Sequence, residues 1–411
     1  MRAVIIVGDG MADRPLRELG YKTPLEAANP KSMDRLASAG SSGLLDPIAP
    51  GVVPGSDVAN LSILGYDAGS VYTGRGPLEA VGADIELQEA DVAFRCDFAT
   101  VKNDLIVADK RAGRIYEGLD ELEEDLQGLD FSSRYRIEFI FKRTSGFRGV
   151  LVLRGQDLSP NISAHGPKTG FRVDLIDAAD DSIEAKITCN ALKEFVTLSH
   201  EFLERHPVNR KRKSEGKPPA NIVIPWGPGK RPNLQPLCER YELKAACVAG
   251  VSLIKGICKL SGMTVIDIPG ATGDIDTDAA AKGEAALTML QDHDLVFIHV
   301  EGPDEASHDG NAGGKIAIIQ KIDSMVGLLM ERIDPEETYI ALLADHTTST
   351  RLRRHTGDPV PLLIAGPDVI RDGVASYSEK VAAGGNLGRI RGRDLMPIVL
   401  DLIGKMEKVG E

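Results

Sequence analysis

The chain has 411 residues, 42% hydrophobic and 27% charged, with a formal net charge of −13. This composition excludes wholesale disorder, and the length allows two domains or one large domain carrying an insertion. The acidic balance argues against a nucleic-acid partner and against attraction to anionic membranes. Five cysteines without a CxxC pair predict reduced, mostly packed thiols in a cytoplasmic protein.

The chain opens with "RAVIIVGDG", a buried strand that delivers Asp9 at its carboxyl end. The apolar stretch Ala3 to Val7 is too short for a signal-peptide core, and no run approaches the length of a membrane span. In "PGSDVANLSILGYD", 54 to 67, Pro54-Gly55 predicts a turn and Asp57 to Leu64 a short helix with Ser56 at its amino end. Serine most often serves there as an N-cap, but the same position presents backbone N–H groups and the positive helix dipole to a phosphate.

From about Gly74 to about Pro232 the expected elements are shorter, with "IEFIFKR" and "RGVLVLRG" as strands of a separate sheet. "TGRGP" and "WGPGKRP" punctuate the borders. The basic run "RKRKSEGKPP", 210 to 219, reads as a solvated loop. Beyond it, strand and helix alternate. "KAACVAG", "TVIDIPG", "LVFIHVEG", "TYIALLADH" and "VPLLIAG" read as strands; "VSLIKGICKLSG", "TDAAAKGEAALTMLQ", "GGKIAIIQKIDSMVGLLMERI" and "RDLMPIVLDLIGKM" read as helices. In the longest of these helices Ile316, Ile319, Ile322, Val326, Leu329 and Ile333 recur at helical spacing. The expected architecture is α/β. A doubly wound, mainly parallel sheet forms a core domain from residues 1–73 and 236–411, and residues 74–235 form a smaller α+β cap domain inserted into it.

The strand ends carry the chemistry. "EGPDEASHDG", 301 to 310, spaces Asp304 and His308 four residues apart, on one face if a helix begins there; a capping Asp with an incidental His is the bland alternative. Asp345 and His346 follow "TYIALLA", and His355 lies nine residues beyond. In doubly wound sheets the carboxyl ends of the strands form the ligand crevice, so Asp9, Asp304, His308, Asp345, His346 and His355 are expected at one rim. Oxygen and nitrogen ligands without thiolates suit two divalent ions such as Mn²⁺, Mg²⁺ or Zn²⁺. Beside such an ion the Ser56 hydroxyl becomes a nucleophile, because the cation stabilises the alkoxide.

These residues resemble the alkaline phosphatase superfamily. Within it, "GDGMADRP", "TPLEAA", "PGSDVANLSILGYD", "TGRGPLEA", "GKPPANIVIPWGPG", "LIKG", "PGATG", "DEASHDGN" and "ADH" are similar to the archaeal-type cofactor-independent (2,3-bisphosphoglycerate-independent) phosphoglycerate mutases over nearly the whole chain. The resemblance implies one metal on Asp9, Ser56, Asp345 and His346, and a second on Asp304, His308 and His355. It also implies a phosphoserine at Ser56, a phosphorylated small-molecule substrate, interconversion of 3-phosphoglycerate and 2-phosphoglycerate, and a cap that keeps water from the intermediate. Relatives carry an Asp-Pro-His segment where this chain reads "LSPNISAHGPKTG", with His165 in the position to replace that histidine. Lys255, Arg75, Arg148 and Arg212 are the candidate cations for phosphate and carboxylate. A homoserine kinase-like phosphotransferase or a metal-dependent phosphatase using the same serine is the alternative reading.

Overall fold

The apolar run at the amino terminus forms the strand Arg2–Gly8, and the computed structural model sets it within an eight-stranded sheet. The structure describes residues 1–129, 136–173, 175–408 and 410. They divide into two units, residues 1–72 with 234–411, and residues 73–233.

In the first unit the strand order is Thr264–Val265, Ala245–Val248, Leu295–Val300, Arg2–Gly8, Thr338–Leu343, Val360–Ala365, Gly40–Asp46 and Gly388–Arg391. Val360–Ala365 runs antiparallel to both neighbours; every other pairing is parallel. Leu295–Val300 and Thr338–Leu343 are buried along their whole length, as apolar strands covered on both faces must be. Gly40–Asp46 and Gly388–Arg391 have no apolar run to announce them. In the first, small residues serve close approach: a Cβ on Gly40 would lie 2.4 Å from the Ile364 carbonyl oxygen.

The helix Ala312–Arg332 buries Ile318, Ile319, Ile322, Met325, Val326 and Leu329, so Ile318 and Met325 belong to the stripe and the expected Ile316 and Ile333 lie at its edge. Lys315 is also fully buried on this helix. Its ammonium donates to Asp13 Oδ2 at 3.0 Å and to the carbonyls of Ala12 and Thr348 at 3.1 and 2.9 Å, the partners a buried cation requires.

The second unit holds a five-stranded antiparallel sheet of Val92–Val101, Val107–Asp109, Glu138–Arg143, Arg148–Arg154 and Ile222–Gly229. Short elements are expected here, yet the unit contains the 23-residue helix Ile183–Arg205, capped by Ser182, whose Oγ accepts from Ala185 N. Phe195 on that helix lies 6.2 Å from Phe141, which meets Phe98 edge-on at 5.8 Å. The expected loop at 210–219 is also corrected: Pro207–Ser214 is helical. Pro207 stands at its first turn, His206 Nδ1 caps it, and Lys211, Arg212 and Lys213 suit the negative end of its dipole. Among the described residues all five cysteines are free, and no helix is long and apolar enough to cross a membrane.

Candidate active site and metal centre

Register places three strand ends level. Gly8 pairs with Val300 and Val7 with Leu343, so the residues that follow, Asp9, Glu301 and Asp345, emerge side by side. After Val300 the chain turns directly into the helix Gly302–His308, with Pro303 in its first turn. Asp304 sits inside that turn rather than capping it, which corrects the bland reading, and its Oδ2 lies 3.3 Å from His308 Nε2. After His346 the chain forms a hairpin, Thr347–Ser349 against Arg354–Thr356. Thr348 is paired with His355, which brings His355 back to the same rim.

Two groups of ligand atoms result. In one, His308 Nε2, His355 Nε2 and the Asp304 carboxylate oxygens stand 3.2 to 3.4 Å apart. Ligands about 2.0–2.1 Å from a tetrahedral ion are separated by ~3.3–3.4 Å. His308 Nδ1 and His355 Nδ1 face the carbonyls of Arg353 and Pro54 at 3.0 and 2.8 Å. A carbonyl only accepts, so each Nδ1 carries a proton, and each Nε2, once it gives up its own proton, points a lone pair inward.

In the other group, His346 Nε2 lies 3.2 Å from Asp9 Oδ1, 3.6 Å from Asp345 Oδ2 and 3.0 Å from Ser56 Oγ. Ser56 opens the helix Ser56–Ile63, whose N-cap is Gly55. The serine side chain makes no capping bond and turns to His346 instead, so the capping reading is corrected. Asn60 Nδ2, one turn on, binds both the Ser56 carbonyl and Asp345 Oδ2, at 2.8 and 2.9 Å. Of the first-turn N–H groups expected to greet a phosphate, that of Val58 is already taken by Asp57 Oδ1.

The electrostatics fit a cation. Asp9, Asp304 and Asp345 are all buried, and Asp9 Oδ1 has no hydrogen-bond partner. Burial and repulsion from Asp345 and Asp304 push Asp9 well up; burial presses Asp345 upward too, but His346 and His299 outweigh it and take Asp345 down to about 2. Burial takes His346 down to about 4, so it is neutral near pH 7. Three crowded carboxyl groups beside the neutral His346 make a setting that divalent ions would suit, displacing the protons otherwise held there.

Burial alone would lower His355, but Asp304 3.4 Å away outweighs it and holds the imidazolium up to about 8. The sign follows from the unfolded value of about 6.5: in the metal-free chain this pairing stabilises the fold fully below that pH and is lost as pH rises through 8. An ion competing for Nε2 must displace the proton. Its apparent affinity should therefore climb as pH rises toward 8, by about tenfold per pH unit for each proton displaced. Mn²⁺ titration calorimetry between pH 6.5 and 9 checks this; an affinity flat with pH would show that no proton is displaced.

Comparison with known proteins gives the family. The family model of the metalloenzyme superfamily matches residues 1–402. The chain is 47% identical over 412 residues, 100% of both chains, to 2,3-bisphosphoglycerate-independent phosphoglycerate mutase 1 of Methanothermobacter thermautotrophicus. It is 48% identical over 417 residues to the Methanopyrus kandleri mutase of that name, covering 100% of this chain and 98% of the other. The chain belongs to this mutase family, within the metalloenzyme superfamily. Among solved structures, a Pyrococcus horikoshii protein matches with a TM-score of 0.84 at 37% identity, covering 100% of this chain and 99% of the other. The cofactor-independent phosphoglycerate mutase of Thermoplasma acidophilum matches with a TM-score of 0.64 at 31% identity, covering 98% and 100%.

The family's substrate is anionic, and the candidate cations lie in varied settings. Lys255, on the helix Ser252–Leu260 of the first unit, donates to the Asp267 carboxylate. The other four belong to the second unit. Arg75 pairs with Glu79 at 3.0 Å beside Trp226; Arg148 lies over the Phe147 ring. His165 is exposed with Ser163 Oγ 3.4 Å away, and the buried Arg212 donates from Nε and Nη2 to the carbonyls of Pro218 and Ala112.

Sequence reasoning missed four residues of the rim. His299, fully buried in Leu295–Val300, has Nε2 3.5 Å from Asp9 Oδ2 and no hydrogen-bond partner on either ring nitrogen. Asn60 binds Asp345 as described, Thr348 Oγ1 lies 2.9 Å from His346 Nδ1 and donates to Asp304 Oδ1 at 2.7 Å, and Gly10 donates its N–H to Asp345 Oδ1 at 3.0 Å. With φ +59°, a Cβ on Gly10 would lie 2.6 Å from Thr348 Oγ1 and 2.8 Å from Asp304 Oδ1, so only glycine leaves the rim intact. The "GDG" triplet was the available signal for Gly10.

Proposed function

We propose that this chain interconverts 3-phosphoglycerate and 2-phosphoglycerate in the cytoplasm without a bisphosphorylated cofactor, with Ser56 as the transient phosphoryl carrier. The observation that carries the chemistry is the Ser56 hydroxyl, 3.0 Å from a neutral imidazole among three buried carboxylates. The mutase names of the full-length relatives supply the substrate. Asp9, Ser56, Asp345 and His346 would hold one divalent ion, and Asp304, His308 and His355 a second, of Mn²⁺, Mg²⁺ or Zn²⁺. When bound, such ions stabilise negative charge on the serine and phosphoryl oxygens.

Ser56 Oγ forms a bond to phosphorus as its proton leaves, and the bond from phosphorus to the donor oxygen of glycerate breaks, that oxygen taking up a proton. The other hydroxyl of the same glycerate then attacks the phosphoserine phosphorus and gives up its proton while the bond from phosphorus to Ser56 Oγ breaks and Oγ takes a proton back, so the cycle has no net proton. Fixed imidazole tautomers and the Asn60 amide keep the serine environment from reorganising between the two halves. Lys255, with His165, Arg75, Arg148 and Arg212, are the proposed contacts to phosphate and carboxylate.

An enolase-coupled assay with 3-phosphoglycerate tests the reading. The purified protein should form 2-phosphoglycerate with neither ATP nor bisphosphoglycerate added. Free phosphate as the main product would make it a phosphatase, and a requirement for homoserine and a nucleoside triphosphate would make it a kinase.

A further inference from the structure

His308 and His355 have their tautomers set by backbone carbonyls, which can only accept. His346 differs. Its Nδ1 faces the hydroxyl of Thr348 at 2.9 Å, and a hydroxyl can either donate or accept. The ambiguity is resolved by a second contact, Thr348 Oγ1 to Asp304 Oδ1 at 2.7 Å. Asp304 stands between His308 and His355, 3.3 and 3.4 Å away, and as a carboxylate it offers lone pairs only. The single hydroxyl proton therefore goes to Asp304, and a Thr348 lone pair is left to receive the Nδ1–H of His346.

We infer that Thr348 is a positioning residue that fixes His346 with its proton on Nδ1, keeping the Nε2 lone pair directed at Ser56 Oγ and Asp9 Oδ1. The inference rests on the proposed role of Ser56 and its neighbours, and adds that the two ligand groups are joined through one hydroxyl. The side chain is placed for it. Thr348 is fully buried, its N–H donates to the Ala12 carbonyl at 3.1 Å, and its own carbonyl accepts from Lys315 at 2.9 Å. Without the hydroxyl, Nδ1 loses its acceptor. The competing tautomer then carries its proton on Nε2, where Asp9 Oδ1 at 3.2 Å and Ser56 Oγ at 3.0 Å can accept it. A proton there stands in the place a cation would take.

The test uses the full chain with ¹⁵N-labelled histidine, stripped of metal, as wild type, Thr348→Val and Thr348→Ser, with His346→Gln to assign the resonance. Long-range ¹H–¹⁵N spectra of the wild type should show His346 protonated on Nδ1. Thr348→Val, which keeps the shape of the side chain, should populate the Nε2–H form and lower Mn²⁺ affinity by about 10- to 100-fold in calorimetry. Thr348→Ser should restore both. A wild-type His346 protonated on Nε2, or a Thr348→Val protein with unchanged tautomer and Mn²⁺ affinity, overturns the inference. If the valine variant does not fold, the wild-type and serine spectra still decide. A protein that shows the expected spectra but converts no 3-phosphoglycerate would sink the mutase reading alone.

Discussion

Ser56→Ala should fold, bind metal less tightly and lose essentially all turnover. The fold survives because Gly55, not Ser56, caps the helix, and the lost hydroxyl makes one side-chain hydrogen bond, to His346. That costs about 1 kcal/mol. The rate falls by many powers of ten, since no neighbouring group can take the phosphoryl. Thermal unfolding separates the two quantities. Rapid quenching of the wild type with 3-phosphoglycerate should add one phosphoryl mass to the peptide containing Ser56. A label on a histidine instead would mean that the nucleophile is misassigned, and an active Ser56→Ala protein would remove serine from the chemistry.

Exhaustive chelation should abolish turnover, and Mn²⁺ or another divalent ion should restore it. Asp9 is crowded by the charges of Asp345 and Asp304, and negative charge gathering on Ser56 or a phosphate oxygen beside these buried groups needs compensation. The same dependence should appear in His308→Ala. Its imidazole is a quarter exposed and held by the Arg353 carbonyl, so removing it should cost orders of magnitude in rate with little change in the unfolding midpoint. Unfolding of His308→Ala would assign that side chain to stability, and an active demetallated protein would dispose of the metal centre.

The rim was legible from Asp9, Asp304, Asp345 and His346, each at or just beyond a strand's carboxyl end, where a one-dimensional pattern already fixes direction and level. His308 follows by helical spacing, and His355 returns only through the hairpin Thr347–Ser349 against Arg354–Thr356. The i, i+4 spacing of Asp304 and His308 needed only the helix Gly302–His308 to become a contact. Thr348 was not legible: a threonine in a short hairpin looks like any strand former, and its role arises only when Asp304 and His346 arrive from other elements. His299 reads as one more core position between Ile298 and Val300. The strand Gly40–Asp46, "GSSGLLD", was hidden for the opposite reason, since neighbouring backbone leaves no room there for the bulky residues that mark a strand. In the second unit, the helix Pro207–Ser214 is made of charges that a periodicity search discards, though Pro207 and the His206 cap define it.

The central strand of the first unit has a consequence for synthesis. Arg2–Gly8 pairs with Leu295–Val300 on one edge and Thr338–Leu343 on the other, and, among the described residues, with no strand nearer in the chain. This strand is thus held without a hydrogen-bonding partner on either side until nearly 300 further residues have been made. The sheet of the second unit, by contrast, closes entirely within residues 92–229. At about 5–20 residues per second, roughly 5–20 s separate completion of that unit from emergence of Leu343. Asp9, the earliest ligand translated, meets Asp345 and His346 only at the end of that wait, so nascent chains have no complete metal site for most of their synthesis.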